Sequence, residues 1–86
     1  MQFKVYVIYS PGHDRIFTGM TTSLTDRMES HNGEDPEDWI SSYKPWTLIH
    51  MELFEEEYQA LNREAYFESE AGQDHIRSEI LPIFVS

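Results

Sequence analysis

The chain has 86 residues, which leaves no room for a second domain, so residues 1–86 are expected to form one small domain that uses most of its apolar residues in the core. It is 40% hydrophobic and 14% aromatic, a globular composition, and it has no cysteine, which excludes a disulfide framework, a thiolate zinc site and a cysteine nucleophile. Sixteen acidic residues oppose six basic ones, a formal net charge of −10 that repels nucleic acid at long range and keeps the protein soluble.

The first residues, Met1-Gln2-Phe3-Lys4, are not a charged leader followed by a long apolar run, so no signal peptide is expected. No apolar stretch reaches membrane-spanning length, and a soluble cytoplasmic protein is the expectation. Lys4 to Tyr9, rich in β-branched and aromatic residues, predicts a strand. Ser10 to Asp14 predicts a five-residue turn carrying Pro11 and Gly12, and Arg15 to Thr18 a second strand that Gly19 ends. Ser23 is a candidate N-cap for a helix over 24–31, with Leu24 and Met28 inward and Asn32-Gly33 as its stop.

Residues 33–42 are polar and acidic and predict a loop pinned by Trp39-Ile40. Pro45 precedes a long strand over 46–54 whose alternation is uneven. A helix is predicted over about 55–69, with acids at its positive end and Tyr58, Leu61 and Ala65 on one stripe. Gly72 is expected to break it, residues 73–80 to form a last short helix, and Pro82 to end regular structure. The order β-β-α-β-α-α predicts an α+β fold, a three-stranded antiparallel sheet flanked by helices.

Four side chains can carry chemistry. Arg27 and His31, four apart on one helix face, offer a planar donor fork for a phosphate and a group that moves a proton near neutral pH. The same pair also reads as a surface arginine and a histidine favouring the helix dipole. Glu64 flanks the expected apolar stripe, where a carboxylate is either a cation ligand or the partner of Arg63 or Arg77. Tyr6 either orients a water or is an ordinary cross-strand aromatic, and Gly19 either admits a ligand or ends its strand.

In this order and spacing the segments resemble the GIY-YIG nuclease family, in particular its small stand-alone bacterial members. Lys4-Val5-Tyr6 stands for the first motif and Phe17-Thr18-Gly19 for the second. Residues 24–32 resemble the family's Leu-x-x-Arg-x-x-x-His-Asn segment, Pro45-Trp46-Thr47-Leu48 its Pro-Trp-x-Leu stretch, and Ala60-Leu61-Asn62-Arg63-Glu64 its Ala-Leu-x-x-Glu helix. Each motif is weak by itself; their colinearity from about Gln2 to Ile80 is specific.

The resemblance implies a Mg2+- or Mn2+-dependent endonuclease acting on DNA, with DNA repair as a setting. Glu64 would be the metal ligand, Tyr6 would assist the attacking water, Arg27 would stabilise transition-state charge and His31 would support the site. Phe17, Gly19 and Asn32 would support the motifs. Three positions depart from the pattern: Phe17 replaces a second tyrosine, Glu68 a common lysine and Gln73 a common basic residue. These departures and the acidic charge define a second reading, a catalytically weakened domain that binds protein or nucleic acid without cutting. A third is a small-molecule phosphoesterase using the same pocket.

Overall fold

The computed structural model describes residues 2–33 and 39–85. Positions 34–38, most of the acidic part of the expected loop, lie outside the described residues. Strand β1 (Phe3–Ser10) is central in an antiparallel sheet of order β2-β1-β3, with β2 spanning Arg15–Thr21 and β3 Thr47–Phe54. Because side chains alternate, Val5 and Val7 face one side of the sheet and Tyr6 and Ile8 the other, and all four are buried. The predicted strand-strand-helix-strand-helix-helix order and the sheet are as expected.

The hairpin differs in two details. Ser10 pairs with Arg15, so the turn has four residues, 11–14, not five, and Asp14 adopts φ 49°, a left-handed conformation that aspartate tolerates. Gly19 does not end β2. It pairs with Tyr6 inside the strand, which continues to Thr21 because Met20 still has a core to face.

Helix α1 (Leu24–His31) covers the Tyr6 face, with Leu24 and Met28 packed inward as predicted. Ser23 is at the N-cap position, but its side chain makes no capping bond; its amide instead donates to Thr21 Oγ1 at 3.0 Å. A 3-10 turn, Trp39–Tyr43, follows, in which Ile40 is buried while Trp39 is 64% exposed, so only one of the two expected anchors is used. The Lys44–Pro45 bond is cis. The uneven alternation of β3 has a simple cause: the register slips between Val7 and Ile8, opposite His50 and Leu48, which leaves Ile49 as an extra residue facing the Val5 side.

The other face is covered by α2 (Glu57–Glu68) and α3 (Glu70–His75). Ala60 and Phe67 are fully buried against Val5, Val7 and Ile76. The expected stripe of Tyr58, Leu61 and Ala65 is therefore wrong: all three are exposed. Ala60, Arg63, Glu64 and Phe67 form the inward face, and two long polar residues in that set conceal it from a hydrophobicity pattern. The break between the helices is at Ser69, whose extended backbone and side chain cap α3 by accepting from the Gly72 amide at 3.2 Å. Gly72 lies inside α3 and does not break it.

A wide π turn (Ile76–Ile80) leads into α4 (Leu81–Val85). Pro82 does not terminate the chain's regular structure. It follows directly on the widened turn, in which the Leu81 amide reaches back to Ile76 O, and the helical run continues through it to Val85. No helix among the described residues is long and apolar enough to cross a membrane.

Arg63 fastens α2 to β3. Its Nε and Nη2 donate to the two Glu52 carboxylate oxygens at 2.8 and 3.1 Å, and its guanidinium lies 4.5 Å from the Phe67 ring centre. Burial raises the Glu52 carboxyl, but hydrogen bonds from Arg63 and His50, with their charge, outweigh it and hold Glu52 below its usual range. A depressed carboxyl stabilises the fold above its unfolded value and loses that contribution as pH falls through the folded one. Arg63→Ala is expected to cost about 1–2 kcal/mol at pH 7, modest because solvent screens part of the pair, and progressively less below pH ~4.5. Urea melts at pH 7 and pH 3 check it.

Candidate functional site

The central strand and α1 build one cluster. Tyr6 Oη and His31 Nε2 are joined by a buried hydrogen bond of 2.8 Å. The Phe17 ring meets His31 edge-on at 5.3 Å and tilts against Tyr6 at 6.3 Å. Phe17 thus preserves the shape that a second tyrosine would give, while Tyr6 keeps the one hydroxyl of the pair. Tyr6 and His31 are 2% and 4% exposed, so they form the floor of the site.

Gly19 explains how the Tyr6 ring lies flat there. A Cβ at Gly19 would stand 2.5 Å from Tyr6 Oη and 2.6 Å from its Cζ. The group approaching this glycine is the tyrosine itself and not a ligand. Gly19→Ala is expected to push the ring off His31 and to cost about 1–3 kcal/mol, because the ring is buried and cannot swing clear. Thermal melts, with the loss of any Tyr6-dependent activity, check this.

Arg27 lies one turn before His31 on α1, is exposed, and has no ion pair or side-chain hydrogen bond among the described residues. Asn32 at the C-cap does more than stop the helix. Its side chain accepts from the Trp46 amide at 2.6 Å and donates to Trp46 O at 3.1 Å. It clamps the start of β3 to the end of α1 and so fixes Arg27 and His31 relative to the sheet. Sequence reasoning missed this role, since nothing local to Asn32 points to a strand fourteen residues away.

Glu64 lies on the other side of the sheet from Tyr6. Arg63 reaches toward β3, Ala60 and Phe67 sit over β1, and helical geometry turns Glu64 the opposite way from Arg63, toward edge strand β2. Neither expected partner takes it: Arg63 binds Glu52 and Arg77 binds Asp14. Glu64 makes no hydrogen bond or ion pair among the described residues. Desolvation, then the charge of Glu68, pushes its carboxyl above the usual range. Thr18, on the α2 side of β2 opposite Val7, has a buried hydroxyl with no hydrogen-bond partner among the described residues. The side of the sheet that α2 covers thus holds a half-buried carboxylate without a protein partner, Glu64, and a buried hydroxyl without one, Thr18, among the described residues.

No group of three or more His, Asp or Glu side chains is assembled for a metal among the described residues. Gln73, at a commonly basic position, is used structurally: its amide donates to Phe67 O at 2.8 Å and ties α3 to α2. A concavity of about 460 Å³ between β3 and the C-terminal helices, lined by Leu48, Ile49, His50, Glu79, Ile80, Ile83 and Phe84, contains none of the predicted site residues.

Comparison with known proteins agrees with this architecture. The fold is similar to that of the UPF0213 protein BH0048 from Bacillus halodurans, solved by NMR in solution, with a TM-score of 0.56 at 20% identity over 91% of this chain and 84% of that one. No curated protein matches the chain. The family profile for the GIY-YIG catalytic domain matches residues 2–76, a span that runs from the strand bearing Tyr6 through the helix bearing Glu64. A match of that extent, colinear with the sheet and both helices just described, means that the chain belongs to the GIY-YIG family, a nuclease-type family.

Proposed function

We propose that the protein is a divalent-metal-dependent endonuclease that hydrolyses DNA phosphodiester bonds. The observation that carries this reading is the match of residues 2–76 to the GIY-YIG catalytic domain, within which Glu64 is a half-buried carboxylate with no ion pair among the described residues, Arg63 and Arg77 being bound to Glu52 and Asp14. Glu64 would hold Mg2+ or Mn2+, with Thr18 Oγ1 on the same side of the sheet, and the bound ion would supply Lewis-acid stabilisation of phosphate charge.

The remaining chemistry belongs to the chain. Arg27, exposed and unpaired among the described residues, is available to bind a non-bridging phosphate oxygen and to stabilise the added charge on phosphorus. Tyr6 orients the attacking water and can take its proton as it passes its own to His31 Nε2 along the 2.8 Å bond. Arg27 and Tyr6 belong to one face of the sheet and Glu64 to the other, so this reading requires the substrate strand to pass around edge strand β2.

The test is purified protein with supercoiled, linear and branched DNA. Nicking that requires Mg2+ or Mn2+, stops with EDTA and disappears in Glu64→Ala is the expected outcome. Absence of cutting on all three substrates, or equal cutting by Glu64→Ala, sinks the proposal. The first of those results, with a stoichiometric protein partner in solution, would favour the alternative of a non-cutting interaction module, which Phe17 in place of a tyrosine makes the natural competitor.

A further inference from the structure

We infer that Trp39 is a stacking platform for an unpaired nucleobase beside the proposed cleavage site, so that the preferred ligand is single-stranded or locally unpaired DNA. The inference rests on the nuclease reading above and adds the form of its substrate.

A continuous path of rings runs outward from the Tyr6–His31 pair. Phe17 touches His31, Trp39 stands edge-on to Phe17 at 6.2 Å, and Tyr43 stands edge-on to Trp39 at 6.2 Å. The path ends in solvent: Trp39 is 64% exposed, against 4% for Trp46, whose Nε1 donates to Ile40 O at 2.7 Å. Trp46 has a core position and a satisfied polar atom. Trp39 belongs to the core of neither face, although rings on two sides hold its plane.

Two arginines in this patch offer phosphate contacts, although Glu34, Asp35, Glu37 and Asp38 precede Trp39 in the chain. Of the six basic residues, Arg63 and Arg77 are consumed by Glu52 and Asp14. Arg15 and Arg27 make no ion pair among the described residues, and both belong to this patch. The Arg15 guanidinium lies 4.8 Å from the Tyr43 ring centre, and Arg27 is one turn from His31. A flanking base can therefore reach Trp39 while its phosphates meet these two arginines.

An exposed indole face also resolves the charge conflict. Stacking needs no positive field, so it supplies affinity that a chain of net charge −10 cannot draw from phosphates alone. It is open only to a base released from the duplex stack, which is why the preference is for unpaired DNA.

The experiment uses tryptophan emission, titrating the full chain in EDTA at low salt with a thymine oligonucleotide and with a duplex of equal length. Saturable quenching by the single strand, weak quenching by the duplex, loss of the quench with about tenfold or weaker binding in Trp39→Ala, and recovery of binding in Trp39→Tyr are expected. Unquenched emission, or single-strand binding as tight in Trp39→Ala as in wild type, overturns the stacking site; if metal-dependent cutting persists in that case, the nuclease reading stands without it. Failure of the wild type both to bind and to cut any DNA overturns both.

Discussion

Glu64→Gln is expected to cut DNA about 1,000-fold more slowly than the wild type and yet to melt at a higher temperature. The loss follows from removing the ligand of an ion that supplies several kcal/mol of transition-state stabilisation, at about 1.4 kcal/mol per factor of ten. The gain follows from burial and the Glu68 charge, which raise the Glu64 carboxyl above its usual value. A carboxyl raised in the folded state opposes folding once pH exceeds that folded value, and has no effect below its unfolded value, where both states are protonated. The melting difference should therefore be full at pH 7 and vanish as pH falls below ~4.5. Added Mg2+ should raise the melting temperature of the wild type and leave Glu64→Gln unchanged. A variant less stable than wild type at pH 7, or one that Mg2+ still stabilises, would show that Glu64 is a structural residue.

Gly72→Ala is expected to be strongly destabilising. A Cβ at this position would overlap the Tyr66 carbonyl oxygen and lie 2.5 Å from Phe67 Cα, and both are backbone atoms that no rotamer change can clear. Helices α2 and α3 would have to part, opening the contact between Phe67 and Ile76 in the core. Overpacking of this kind costs about 3 kcal/mol, or roughly 10–20 °C in melting temperature for a domain of this size. Gly12, whose surroundings are open, is the control: Gly12→Ala should melt within a few degrees of wild type. Near-wild-type stability of Gly72→Ala would mean that the two helices are not in the close contact described.

Gly19 and Gly72, the glycines at which a Cβ would come closer than 3 Å to a neighbour, share a lesson about function. Each was legible in the sequence as a local break, and each is a place where another part of the chain approaches closely. Gly19 makes room for the Tyr6 ring and so sets the floor of the site; Gly72 lets α3 close over α2, the helix that carries Glu64. The departures from the family pattern are likewise absorbed differently. Phe17 keeps the ring packing around His31, and Gln73 ties two helices together, whereas the charge of Glu68 adds to burial in raising the Glu64 carboxyl.

Strand and helix order, the hairpin, the inward Leu24 and Met28, and the segments bearing Tyr6, Arg27, His31 and Glu64 were determined by local pattern. Period-two and period-3.6 signals and turn residues act over a few positions and need no partner to be read. What only the tertiary structure decided depends on groups distant in sequence. The inward face of α2 was misread because Arg63 and Glu64 lie on it: Arg63 is satisfied there by Glu52 from another element, and Glu64 is left without a partner among the described residues. The Tyr6–His31 bond, the Asn32 clamp on Trp46 and the exposure of Trp39 arise in the same way, from packing across the sheet. A sequence states which side chains are present; whether a carboxylate is paired is decided by what the fold brings beside it.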